Sequence, residues 1–332
     1  MRNHVAAVAL ALVAASTGMA QGRSRPLEQT SDFWRELRAP GQRRARTLIE
    51  HARRLVRKAL RETEGPRPQP HVRAAYLEGA IERLRLARRY APDNPEVLFH
   101  LGRILAMYER PAREGPPVRM DREAIATFAA LRTLDPDFEA ESVAFELGIL
   151  HTRVGEFDRA AEEYERALLA SLDSSAASVT HANLAEVRMM AGDLEAAVRH
   201  YERAIHLAEH SPFGDPARSL ALAYFGRAVA LDRLGEHDGA LESAQRALSI
   251  YGGSMDVLRS PGVFFDPPAE IHYYEALGHM ALARAADPSE QPRHLRRART
   301  SWRQYLALSR DPDPWRRLAE RHLAEVQAAL QP

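Results

Sequence analysis

Apolar residues recur at helical spacing in three stretches near the middle of the chain, and each stretch is broken once by a glycine. Residues 141–169 read ESVAFELGILHTRVGEFDRAAEEYERALL, residues 178–207 read SVTHANLAEVRMMAGDLEAAVRHYERAIHL, and residues 221–250 read ALAYFGRAVALDRLGEHDGALESAQRALSI. Aligned, they share Gly155, Gly192 and Gly235, then Ala160, Ala197 and Ala240, then Ala167, Ala204 and Ala247. The pattern predicts two helices joined at the glycine, which lets the first helix end in a left-handed conformation. Small residues fall where helices cross closely, and large ones such as Tyr164 and Tyr201 fill the space toward the next pair. No single pair covers its own apolar face, so the pairs must stack.

Weaker copies extend the pattern. Leu98, Leu101, Gly102 and Leu105 open one, and Ala124, Phe128 and Leu131 close it before Asp135-Pro136. Between them lies an insertion, Glu109 to Asp121, with three prolines. Upstream, Ala80, Leu84 and Ala87 match a second helix, with residues 43–62 as its partner across a proline-rich linker. Downstream, Tyr274, Leu277, Gly278 and Ala281 match a first helix, and Ala298, Trp302 and Tyr305 a second. After Asp313, the stripe Trp315, Leu318, His322, Val326 and Ala329 predicts a helix that caps the last pair.

These features resemble the tetratricopeptide repeat, a helix–turn–helix unit of about 34 residues. The best-matched copy carries Leu147-Gly148, Gly155, Phe157, Ala160, Tyr164 and Ala167. The resemblance implies an all-α, right-handed α-α superhelix of about six such units with a C-terminal capping helix. It also implies a non-enzymatic scaffold that holds a peptide or helix in a concave groove lined by the first helices. Carried over position by position, the groove comprises Phe99, Arg103 and Met107, then Phe145, Ile149, Thr152 and Arg153. It continues with Glu186, Met189 and Met190, and with Phe225, Val229, Asp232 and Arg233. A family variant clamps a terminal carboxylate with basic and amide side chains. Only Asn183 matches it, since Phe145, Ile149, Ala182, Leu222 and Gly226 stand at the other positions.

Composition narrows the chemistry. The 332 residues include 57 alanines and no cysteine, so disulfides, thiolate-held zinc, iron–sulfur clusters and a thiol nucleophile are excluded. Lys58 is the one lysine, and no glycine-rich phosphate loop surrounds it. Neither a metal nor another cofactor is expected. At the N-terminus, Arg2 and His4 precede an apolar run from Val5 to Ala15 and the small residues Gly18 and Ala20. That order predicts a cleavable export signal over 1–20, leaving a protein that is periplasmic or secreted. A leader or cap over 21–40 follows, then the repeat array over 41–312, with 141–250 its best-matched part, and the capping helix over 313–332.

Charge is unevenly spread. From Arg23 to Arg89 there are 18 basic and 8 acidic residues, whereas from Asp121 to Ala170 there are 5 basic and 12 acidic. In helix 43–61, Leu48, Ile49, Ala52, Leu55, Val56 and Ala59 share one arc and the arginines lie outside it. This helix either docks on the next one or makes peripheral contact with an anionic membrane surface. An exported protein is a poor nucleic-acid partner, and no segment is long enough for stable membrane insertion.

Two further features invite a role. Val263, Phe264 and Phe265 lie in the non-helical segment 251–270, as a lid over the groove or as a buried connector. His206-Leu207-Ala208-Glu209-His210 fits H-x-x-E-H, so a metal-dependent hydrolase is the enzymatic alternative. A small-ligand sensor, with a pocket between repeats and lid, is the third possibility.

Overall fold

The computed structural model describes residues 40–64, 69–115, 117–171, 174–210, 216–260, 263, 265, 267–309 and 312–331. The export signal at 1–20, nearly all of the leader at 21–40, and Phe264 lie outside the described residues. The described chain is all-α apart from one small hairpin, and it forms two compact units that divide between Leu150 and His151.

The N-terminal unit starts with α1 (Pro40–Glu64) and α2 (Pro70–Tyr90), which pack on each other. Ala45, Ile49, Ala52 and Ala59 of α1 are buried, with Leu48, Leu55 and Val56 packed at their margin. The apolar arc of the basic helix is therefore spent on protein, and the face that would enter a membrane interface is not available. Next come α3 (Pro95–Met107) and α4 (Asp121–Leu134), which also pack as a pair, and then α5 (Ala140–Arg153). Asn94 caps α3 by accepting from the Val97 amide.

The insertion between α3 and α4, for which the sequence pattern predicts no structure of its own, adds the one strand pair among the described residues. It forms a two-stranded antiparallel hairpin, β1 (Glu109–Arg110) with β2 (Val118–Arg119). Glu109 stands opposite Arg119 in the register, and the Arg119 guanidinium reaches its carboxylate at 2.6 Å. A cross-strand ion pair of this kind is invisible to helical periodicity.

In the C-terminal unit, α6 (Phe157–Ala170), α7 (Ser174–Met190), α8 (Leu194–Glu209), α9 (Pro216–Leu234) and α10 (His237–Ile250) follow one another. A 3₁₀ turn at Asp256–Arg259 leads to α11 (Glu270–Ala285), α12 (Gln291–Leu308) and α13 (Arg316–Ala328). Each helix packs on its sequence neighbour, and α9 also touches α7 and α11, so the first helices of consecutive pairs adjoin.

The turn glycines act as expected. Gly155, Gly192 and Gly235 have φ of 75°, 88° and 89°, a region that side chains with a Cβ enter only with strain. The same two bonds close each turn. Gly155 donates to the Thr152 carbonyl and Glu156 to that of His151; Gly192 and Asp193 repeat this with Met189 and Arg188, and Gly235 and Glu236 with Asp232 and Leu231. The marker alanines Ala80, Ala124, Ala160, Ala197, Ala240 and Ala298 are all fully buried. Four residues after each stands Leu84, Phe128, Tyr164, Tyr201, Ala244 or Trp302, again buried. An added Cβ on Gly102 would sit 2.8 Å from the Phe128 ring, and one on Gly226 would strike the ring of Tyr201.

The segment after α10 packs as a connector over much of its length. Val257, Leu258 and Ala269 are buried, and Met255 lies against Gly278. Phe265 meets Tyr274 edge-on at 5.0 Å. Capping helix α13 buries Ala319, His322 and Val326 and packs on α12.

Candidate functional site

The expected groove positions divide into core and surface. In the N-terminal unit Phe99, Phe145 and Ile149 are buried, while Arg103 and Met107 are partly exposed. Phe99 contacts Phe138 at 5.9 Å and Phe128 at 6.5 Å, both edge-on. Arg103 lies over the Phe99 ring at 5.6 Å and faces Glu146 at 3.6 Å. The Met107 carbonyl accepts from Arg73.

In the C-terminal unit Met189, Phe225 and Val229 are buried, and Arg153, Glu186 and Met190 are partly exposed. Ala182 and Leu222 remain partly exposed beside them, as do His272, Glu275 and His279 on α11. The α11 residues are not among the positions carried over, although Tyr274, Leu277, Gly278 and Ala281 mark this helix as a first helix. Asn183 is buried, and its Nδ2 has no hydrogen-bond partner among the described residues.

Glu186 also belongs to a largely buried polar network whose members occupy several helices. Tyr201 donates to Glu186 at 2.7 Å and Tyr274 donates to the same carboxylate at 3.4 Å. Burial raises the Glu186 pKa, and the two phenolic donors only partly offset it. Arg233, expected to face a ligand, instead donates to Glu270 at 2.6 Å with its side chain 1% exposed. The Tyr273 and Trp315 rings cover its guanidinium at 5.0 and 4.9 Å. Arg233 belongs to the interior because α11 and α13 close over the end of α9.

Asp232, also expected to face a ligand, is the most enclosed member. Its carboxylate meets His237 Nδ1 at 2.8 Å and His322 Nε2 at 3.0 Å, and Tyr273 donates to it at 2.5 Å. Burial alone would raise its pKa, but hydrogen bonds from His237 and His322 outweigh that and hold it well below the usual carboxylate range. Asp232, His237 and His322 are, among the described residues, the one group of three potential metal ligands whose donor atoms lie within 4.8 Å of one another. Spacing in the sequence gives no hint of it, since His322 is 90 residues from Asp232.

His206 and His210 sit exposed at the end of α8, with ring centroids 4.5 Å apart. His210 Nδ1 is engaged by the His206 carbonyl at 2.7 Å, and the Glu209 carboxylate accepts from Tyr224. No third metal ligand joins them among the described residues.

The model of the tetratricopeptide repeat family matches residues 175–252, the stretch from α7 through α10. The chain carries tetratricopeptide repeats. No curated protein matches it in sequence. Among solved structures, a tetratricopeptide repeat protein from Parabacteroides merdae ATCC 43184 is 13% identical, covering 84% of this chain and 99% of that one at a TM-score of 0.46. MamA from Desulfovibrio magneticus RS-1 is 16% identical over 64% of this chain and 97% of its own, with a TM-score of 0.49. YrrB, described as a TPR protein with an unusual peptide-binding site, is 16% identical over 73% and 97%, with a TM-score of 0.42. The first helices of consecutive pairs adjoin, and no helix among the described residues is long and apolar enough to cross a membrane.

Proposed function

We propose that the protein is a non-enzymatic protein–protein interaction scaffold of the cell envelope, exported by its N-terminal signal. Its partner is a peptide or helix that lies along the first helices of the repeats. The observation that carries this reading is that α9 adjoins both α7 and α11, leaving Ala182, Met190 and Leu222 partly exposed on neighbouring helices. Apolar side chains at such positions bind an amphipathic segment through a few anchors, with little demand for chemistry. In the N-terminal unit Arg103 and Met107 are the accessible counterparts. Buried positions such as Phe225 and Val229 would shape that surface from beneath.

A photo-crosslinker placed at Met190 tests the proposal in cells. The expected result is one dominant adduct with an envelope protein, lost in a Leu222→Glu variant that still folds. Adducts spread over many proteins, or unchanged by Leu222→Glu, would overturn it. The export arm is checked separately by fractionation and by N-terminal mass spectrometry, which should find Gln21 first.

A further inference from the structure

Asp232, His237 and His322 come from three elements: the end of α9, the start of α10 and the face of α13. We propose that they form a binding site for a late first-row divalent cation, zinc above all, which ties the C-terminal helix to the preceding repeats. The inference does not depend on the partner-binding reading.

Five observations support it. The donor set is two imidazole nitrogens and one carboxylate, which suits zinc and leaves a fourth position for water. The ring centroids of His237 and His322 are 4.6 Å apart with the planes 24° from parallel, so the rings would turn and open by roughly half an ångström to share one ion held at about 2 Å. His322 is oriented on both sides: its Nδ1 meets Glu325 at 3.1 Å, while Trp302 stacks on its ring at 5.2 Å. A carboxylate on the far nitrogen fixes which nitrogen faces the metal. Tyr273 donates to Asp232 Oδ2 and so orients the carboxylate, His237 reaches Oδ1, and His322 Nε2 lies 3.0 Å from Oδ1 and 3.1 Å from Oδ2. His237, with a side chain 33% exposed, provides the route from solvent, while the Asp232 side chain is 0% exposed.

The contacts of 2.8 and 3.0 Å between the carboxylate and the imidazoles are hydrogen-bond distances. Zinc would replace the shared protons, with the three donors separating by a few tenths of an ångström to about 3.3 Å for tetrahedral geometry.

Zinc titration of the full chain against a chromophoric chelator tests the site, paired with thermal melts with and without zinc. The expected result is one tight equivalent per chain and a higher melting temperature with zinc. His237→Ala, a change at a partly exposed helix start, should weaken binding at least tenfold. Glu325→Gln should weaken it about tenfold through the orientation of His322. The double variant His206→Ala/His210→Ala should keep the tight equivalent. If His237→Ala fails to fold, Glu325→Gln, on an exposed side chain, carries the test. Absence of a tight equivalent in the wild type, wild-type affinity in Glu325→Gln, or loss of binding in the His206/His210 variant would each overturn the proposal.

Discussion

Arg233 and Glu270 form an ion pair at 2.6 Å whose side chains are 1% and 11% exposed, and Tyr273 and Trp315 enclose the guanidinium. Removing one partner of such a pair strands a buried charge, at a cost of about 3–5 kcal/mol. Glu270→Ala is therefore expected to lose stability on that scale in urea denaturation. Arg233→Met/Glu270→Leu, which removes both charges, should recover most of the loss. A single variant that loses under 1 kcal/mol would show that the pair is open to water.

Gly226 lies against the Tyr201 ring, with no room for a Cβ. Gly226→Ala should overpack this helix crossing and cost about 1–3 kcal/mol. Combined with Tyr201→Leu, the change should cost less than the sum of the two single effects, because the residues share one space. Strict additivity would mean that the helices separate freely.

The three turn glycines offer a contrasting test. An added Cβ at Gly192 or Gly235 meets nothing within 4 Å, so a substitution there acts only through backbone strain. Gly192→Ala and Gly235→Ala are each expected to cost about 1–2 kcal/mol, and the asparagine variants less. Equal losses for alanine and asparagine would point to packing instead.

Burial pushes the His181 and His279 pKa values down to about 4, with neighbouring histidine and arginine charges adding to the shift. The unfolded imidazole titrates near 6.5, so the unfolded state binds protons first. The stabilisation from keeping these rings neutral is fully present above about pH 6.5 and is lost as pH falls toward 4. The urea midpoint should drop across that window, and less steeply in a His181→Phe/His279→Phe variant. The same slope in both proteins would rule out these histidines as the cause.

The repeat framework was legible because its constraints are local. Gly155, Gly192 and Gly235 must adopt positive φ, and Ala160, Ala197 and Ala240 must admit a neighbouring helix, so each leaves a mark at fixed spacing. Asp232 and Arg233 fell at positions that normally face a ligand, and nothing nearby in the sequence says that α11 and α13 close over them. Met255 was hidden, and the place of Phe265 left open, for a related reason: the insertion has no repeat period, and its packing is decided by distant Gly278 and Tyr274. The metal-ligand group depends on a contact between residues far apart in the chain, which no helical pattern encodes.

Most contacts in stacked repeats are short-range, so an array of this kind tends to peel from one end, pair by pair. Two hydrogen bonds work against that here: Glu186 with Tyr274, 88 residues apart, and Asp232 with His322, 90 apart. Closing loops of that length slows folding, because chain entropy is lost before the contact forms. The first bond ties Ser174–Met190 to Glu270–Ala285, and the second ties the last described helix to the middle of the C-terminal unit. An array pinned at such points would trade the graded elasticity of a spring for the all-or-none response of a latch.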